Sequence, residues 1–254
     1  MFVYNINPVL LKLGFLEIRY YGLVYVIGFL LVYYILRKHK KEVNLTDDLV
    51  DSFMFYLFIG MFIGSRLFYF IFQEPQLFLK NPLEFFMIWH GGMAYFGGLI
   101  TTILAIYIFV KKHKLDFYRL ADIVVIPVVF ATALGRIANF LNGELVGTVT
   151  NVPWCFIFPG YAGCRHPYQL YAALSMFLLF GVLLLTKTLK QQKGFVFWLF
   201  VTGYSGLRLL TDFFRDDPRF LALTLWQYFC IVGFIVGLIF INKIYTNKII
   251  EKSL

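Results

Sequence analysis

Charge is what this chain has little of. Only 15% of its 254 residues are Asp, Glu, Lys or Arg, and just 14 are acidic. Soluble domains carry about 25% charged residues, whereas this chain is 60% hydrophobic and 20% aromatic. That balance excludes an ordinary soluble protein. The polar gaps between apolar runs are short, and neither an internal repeat nor a low-complexity linker appears. Residues 1–254 therefore read as a single polytopic membrane domain of all-α class, with a short loop at about 148–165. No metal or cofactor is expected.

Apolar windows of about 20 residues can cross a bilayer, and seven are present: Tyr21–Leu36, Phe53–Phe72, Gly92–Val110, Ile123–Leu141, Tyr168–Leu185, Gly194–Phe214 and Leu225–Ile244. No small-residue cleavage site follows the first, so it reads as a span and not as a signal peptide. Basic residues gather after span one (Arg37, Lys38, Lys40, Lys41), span three (Lys111, Lys112, Lys114, Arg119) and span five (Lys187, Lys190, Lys193), and in the tail (Lys243, Lys248, Lys252). By the positive-inside rule the N-terminus is outside and the C-terminus cytoplasmic. The net charge of +9 then suits anionic lipid surfaces, and nucleic acid is not an expected partner. Cys155 and Cys164 fall in an outer loop, where oxidation is permitted, but spacing leaves their pairing open. Cys230 lies within span seven as a small packing residue.

Three arginines, Arg66, Arg136 and Arg208, lie inside spans two, four and six. Intramembrane charge is costly and marks function by default. In the topology above each sits four to eight residues before the outer end, roughly 6–12 Å below that surface at 1.5 Å per residue. Asn139, Asn142, Glu144 and Asp212 accompany them. The spans running inward begin, at the same side, with the polar or glycine-rich stretches "RYYGL", "HGGMAYFGG", "RHPYQLY" and "WQ". Arginines of this kind could instead snorkel to the interface, but three at one depth point to an anionic partner. Guanidinium holds phosphate through paired hydrogen bonds and stays charged when desolvated. The residues alone imply a pocket for an anionic lipid headgroup in the outer leaflet.

The stretch "GRIANFLNGELVG", Gly135 to Gly147, resembles the signature of bacterial phosphatidylglycerol–prolipoprotein diacylglyceryl transferases at Gly135, Arg136, Asn139, Phe140, Asn142, Glu144 and Gly147. "YYGLVYVIGF", "GSRLFYFIF", "GGMAYFGGL", "RHPYQLYAAL" and "GLRLLTDFFR" extend the resemblance along most of the chain. It implies transfer of diacylglyceryl from phosphatidylglycerol to the lipobox cysteine thiol in the signal peptide of a preprolipoprotein, the first step of lipoprotein maturation. The place would be the bacterial cytoplasmic membrane, with a multi-pass enzyme whose active site faces the outer leaflet. On that basis Arg136 and Arg208 would bind the headgroup, with Arg66, Gly147 and Asp212 beside them, and Tyr21, Asn139 and Glu144 would be catalytic. Asp212 stands where the family usually has Glu.

In the third span the family typically carries a histidine where this chain has Phe96, and phenylalanine accepts no proton. His90 and His166 are the histidines on the outer side and the candidates to take over; His39 and His113 sit in basic cytoplasmic loops. The outer loop from Thr148 to Arg165 is also shorter than in many members. "GYSG" (Gly203 to Gly206) looks like the serine motif of rhomboid proteases, yet no histidine follows Ser205 to activate it. The alternatives are a divergent relative, or an anionic-lipid transporter or binding protein without transferase activity. A transporter would favour repeats and midplane sites.

Overall fold

The computed structural model describes residues 1–13, 16–87, 91–189 and 191–253, and His90 lies outside the described residues. Helices dominate: α1 (Tyr20–His39), α2 (Asp47–Phe72), a short α3 (Pro75–Lys80), α4 (Tyr95–Lys112), α5 (Phe117–Leu141), α6 (Tyr168–Thr188), α7 (Phe195–Thr211) and α8 (Leu225–Ser253). Five segments are long and apolar enough to cross a membrane: Tyr20–Val43, Asp47–Phe72, Phe117–Leu141, Tyr168–Thr188 and Leu225–Thr246. The other two expected spans correspond to α4 and α7, helices of 18 and 17 residues. An all-α membrane fold fits, with small additions of strand. β1 (Phe2–Val3) pairs in parallel with β4 (Phe156–Ile157). β2 (Val9–Leu13) and β3 (Leu16–Arg19) form an antiparallel hairpin, as do β5 (Arg219–Phe220) and β6 (Leu223–Thr224).

The chain divides into two compact units, Met1–Ile35 with Ala121–Leu254, and Leu36–Leu120. The larger has its core where Val125, Ile126, Val129 and Ala133 of α5 meet Met176, Leu179 and Leu183 of α6 and Val196 of α7. Several helix starts are held from outside the helix. The Asp122 carboxylate, on α5, accepts from the backbone N–H of Gly194 and Phe197, both at 2.7 Å, and so satisfies orphan donors of α7. At α8, Thr224 and Gln227 accept reciprocally from each other's backbone N–H, the logic of a capping box. A second core joins Tyr4, Phe140, Val146 and Phe158. The Tyr4 hydroxyl donates to the Leu141 carbonyl at 2.7 Å, fastening the N-terminal strand over the end of α5. Cys155 and Cys164 are bonded as a disulfide, which settles the pairing left open by spacing and closes the loop that carries β4.

In the smaller unit, α2 begins at Thr46, whose hydroxyl accepts from Leu49 N–H, with Asp47 and Asp48 in the first turn to complement the helix dipole. Its packing on α4 depends on small residues. The Thr101 hydroxyl donates to the carbonyls of Gly60 (2.5 Å) and Gly97 (2.6 Å). A Cβ on Gly64 would collide with Thr101, and one on Gly97 with Phe68. Such close backbone approach is the usual use of glycine between membrane helices. Gly97 of "AYFGG" is therefore a helix contact.

Candidate functional site

Arg136 and Asn139 are three apart on α5, which places them on one helix face. Asn139 is buried and donates from its amide to Glu144 Oε1 at 2.7 Å. Asn142 approaches the same oxygen at 3.4 Å. Glu144 lies just past the end of α5, and it is held twice more through its backbone: its N–H donates to Asn139 O, and its carbonyl accepts from Gln169 Nε2 at 2.6 Å. Arg136 itself makes one long hydrogen bond, 3.5 Å to Asn139 Oδ1. Most of its guanidinium donors therefore have no partner among the described residues.

Arg208, on α7, is bound more tightly. Its Nε donates to Asp212 Oδ2 at 3.2 Å and Nη1 to the Tyr204 hydroxyl at 2.7 Å, while Cζ stands 4.6 Å from the centre of the Trp226 ring. Asp212 is fully buried and takes a second hydrogen bond from the Tyr168 hydroxyl at 2.5 Å. A buried carboxylate is costly unless paired and hydrogen-bonded, and here it is both. Arg208 Nη2 is left without a hydrogen bond among the described residues.

These two arginines line one cleft, with Thr132, Tyr168, Ser175 and Tyr204 among its other walls. The cleft holds about 10 Å³, roughly the room of one water. Two guanidinium groups with spare donors in a largely apolar, water-poor recess make a site for an oxyanion, because charge-assisted hydrogen bonds strengthen as water is excluded. Asp212 offsets part of the positive charge at Arg208 and fixes its fork in place. Tyr168, Gln169, Tyr204 and Trp226 lie in the stretches "RHPYQLY", "GYSG" and "WQ", where sequence assigns none of them a role at the site. The i−4 spacing of Tyr204 to Arg208 was the one signal available for them.

Other expected site residues lie elsewhere. Gly147 is buried in the backbone: its N–H donates to His166 O at 3.1 Å and its carbonyl accepts from Arg165 Nη1 at 3.0 Å. A Cβ there would meet His166 and Phe214. This geometry makes Gly147 a close-approach residue, with no side chain to offer a ligand. His166 meets the Tyr171 hydroxyl through Nδ1 at 3.1 Å, and that hydroxyl also accepts from Trp154 Nε1 at 2.7 Å. Burial lowers the His166 pKa from its ordinary value, so the ring is neutral at pH 7 and competent to accept a proton. Tyr21, in the first turn of α1, is hydrogen-bonded to Tyr25 at 3.5 Å; among the described residues no hydrogen bond joins it to the arginine cleft. His90, the other candidate base, lies outside the described residues.

Arg66 belongs to the smaller unit and is only 1% exposed. Its guanidinium is caged by main-chain carbonyls: Nε donates to Phe85 O at 2.9 Å, Nη1 to the carbonyls of Gly91 and Gly92, and Nη2 to that of Glu84. Gly91 and Gly92 both have positive φ, 81° and 75°, which glycine adopts without penalty. With its donors committed to this segment, Arg66 acts as a clamp on the backbone that leads into α4. Phe96 is half exposed near the start of α4.

A family profile described as prolipoprotein diacylglyceryl transferase matches residues 8–243. The chain is similar to the phosphatidylglycerol–prolipoprotein diacylglyceryl transferase of Geobacter sulfurreducens, 42% identical over 223 residues that cover 86% of each chain. It is 39% identical to the protein of that name from Bordetella parapertussis over 227 residues, again 86% of each. With the Vibrio cholerae protein it shares 40% over 223 residues, 86% of this chain and 82% of the relative.

Proposed function

The chain belongs to the prolipoprotein diacylglyceryl transferase family, and from that premise we propose that its arginine cleft holds the phosphate of phosphatidylglycerol while the diacylglyceryl group moves to a prolipoprotein thiol. The acceptor is the lipobox cysteine in the signal peptide of a preprolipoprotein. Its sulfur attacks the glyceryl carbon that bears the phosphate, a C–S bond forms, and the C–O bond breaks. The oxygen keeps the electron pair and leaves as glycerol phosphate. The leaving phosphate passes from one negative charge to two, so donors aimed at it stabilise the transition state more than the ground state. Arg136, with most of its donors unspent among the described residues, is the group for that task. This is the observation that carries the reading. Arg208, held by Asp212 and Tyr204, supplies the second cationic wall.

The thiol proton needs an acceptor other than Phe96. Glu144 is anchored through one carboxylate oxygen by Asn139 and is next to the cleft through Arg136. His166 is neutral, and its Nδ1 faces the Tyr171 hydroxyl. Of the two, Glu144 is favoured because its hydrogen-bond chain runs directly to a cleft arginine. Gly147 serves this site by letting backbone segments approach closely, and Arg66 clamps the segment before α4 within its own unit.

The seven-span topology, with the N-terminus outside and the site toward the outer leaflet of the bacterial cytoplasmic membrane, is supported by basic last turns on α1, α4 and α6. The whole chain would then act as one membrane domain. The test is restoration of lipoprotein maturation in cells depleted of their own transferase. Full restoration by this chain and none by its Arg136→Ala variant is expected; failure of the unmodified, membrane-inserted chain to restore it would overturn the proposal.

A further inference from the structure

The end of α4 carries a second cavity that the transfer chemistry does not use. It is a groove of about 510 Å³ lined by Tyr107, Val110, Lys111, Lys114, Leu115 and Phe117. That size lies within the range of ligand sites, roughly 300–1,000 Å³, while the arginine cleft holds about 10 Å³. The groove forms because the chain turns sharply where the apolar helix stops. Leu115 N–H donates to Val110 O at 3.0 Å, and Lys114 takes a left-handed φ of 52°. The turn places Lys114 on the same groove as Lys111, one helical face away from Lys112, which reaches instead toward the Tyr56 hydroxyl.

The two halves of the lining differ in chemistry. Tyr107, Val110, Leu115 and Phe117 make an apolar wall, with Tyr107 58% exposed. Lys111 and Lys114 supply two ammonium groups, and neither has a carboxylate within 4.0 Å among the described residues. Their neighbours are different: Arg119 pairs with Asp116, and Arg37 and Lys40 pair with Asp47. Unneutralised lysines above an apolar wall, at the depth where a membrane helix ends, match an amphiphile of opposite charge.

We infer that this groove binds an anionic phospholipid as a resident, non-reacting ligand, with its phosphate between Lys111 and Lys114 and the first part of an acyl chain against Tyr107, Leu115 and Phe117. Its leaflet, the cytoplasmic one, rests on the orientation proposed above; the binding itself does not. A soluble anion would leave the apolar wall bare, and a zwitterionic lipid would set its own cation against the lysines.

The full-length protein, purified in mild detergent and titrated with phosphatidylglycerol, is read by native mass spectrometry. Each lysine near an anionic surface contributes about fivefold in affinity, so Lys111→Gln with Lys114→Gln should weaken one retained lipid by roughly thirtyfold. Lys111→Arg with Lys114→Arg should keep it, phosphatidylcholine should not occupy it, and millimolar inorganic phosphate should not displace it. Arg136→Ala should remove a different lipid, so that the failure of either site reads separately. Equal retention by the wild type and the double Gln variant would overturn the inference, as would displacement by inorganic phosphate or equal occupancy by phosphatidylcholine.

Discussion

Replacing Arg136 with alanine separates binding chemistry from folding more cleanly than any other change in this protein. Among the described residues its guanidinium has a single hydrogen bond, 3.5 Å long, so its loss should cost stability less than about 1 kcal/mol. For a chain of this size that is a fall of less than about 4 °C in Tm. Removing one donor from a site that stabilises developing oxyanion charge costs about 10²–10³ in rate, and that is the loss expected in kcat. Arg208→Ala should behave otherwise, because it leaves Asp212 buried and unpaired. Breaking a buried pair in this way costs about 3–5 kcal/mol, so Tm should fall by about 10 °C or more. Adding Asp212→Asn should return much of that stability without returning activity. Transfer of labelled diacylglyceryl to a lipobox peptide, with nano-scale fluorimetry on the same preparations, reads both quantities. Arg136→Ala within threefold of wild-type rate, or as unstable as Arg208→Ala, would refute the reasoning.

Gly147→Ala should destabilise by about 1–3 kcal/mol, since the new Cβ would meet His166 and Phe214; an unchanged Tm would show that the two segments yield freely. Protonating His166 opposes folding: its folded pKa lies below the ordinary 6.5, so the unfolded chain binds the proton first and stability falls as pH drops below about 6.5. Thermal unfolding between pH 7.5 and 5.5 should show that loss in the wild type and less of it in His166→Gln. Reducing the Cys155–Cys164 bond, which closes a short loop, should cost about 3 kcal/mol and loosen the strand pairing of Phe2 and Val3, as followed by hydrogen exchange. Arg66→Ala should lower transfer only in step with Tm, because its donors serve the carbonyls of Glu84, Phe85, Gly91 and Gly92; a large rate loss in a fully stable variant would point to ligand contact.

What the sequence made legible was what local spacing controls. Arg136 with Asn139, and Arg208 with Asp212, sit three and four residues apart on single helices, and the structure joins each pair by a hydrogen bond. Helix interiors were equally readable, because membrane spans announce themselves by apolar length. The ends were not: α2 begins at Asp47 and α5 at Phe117, six residues before the apolar runs, since capping by Thr46 and flanking polar turns extend a helix without adding hydrophobicity. Long-range partners were hidden for a different reason. Tyr168 reaches Asp212 across 44 positions, and the carbonyls that cage Arg66 are main-chain groups 18 to 26 positions away, which no side-chain pattern marks. Depth alone made Arg66 look like Arg136 and Arg208. Its surroundings distinguish it, since backbone carbonyls, and not space for a ligand, receive its donors.

The same logic bears on Phe96. The family histidine is absent, and among the described residues the groups left to accept a proton are carried by hydrogen bonds that no single motif contains: Glu144 through Asn139, and His166 through Tyr171 and Trp154. Glu144→Gln keeps the amide contacts while removing the basic oxygen, so a rate that becomes strongly dependent on pH near the thiol pKa of about 8.5 would mark Glu144 as the acceptor. Restoration of wild-type behaviour across pH in that variant would pass the role to His166.

The central claim is tested most directly by incubating the purified, reconstituted protein with phosphatidylglycerol and a lipobox peptide and weighing the products. Expected are diacylglyceryl attached to the cysteine sulfur, one glycerol phosphate released for each peptide modified, and both products formed about 10²–10³ times more slowly with Arg136→Ala. A peptide that stays unmodified with the folded wild-type protein, or one modified equally by the Arg136 variant, would contradict it.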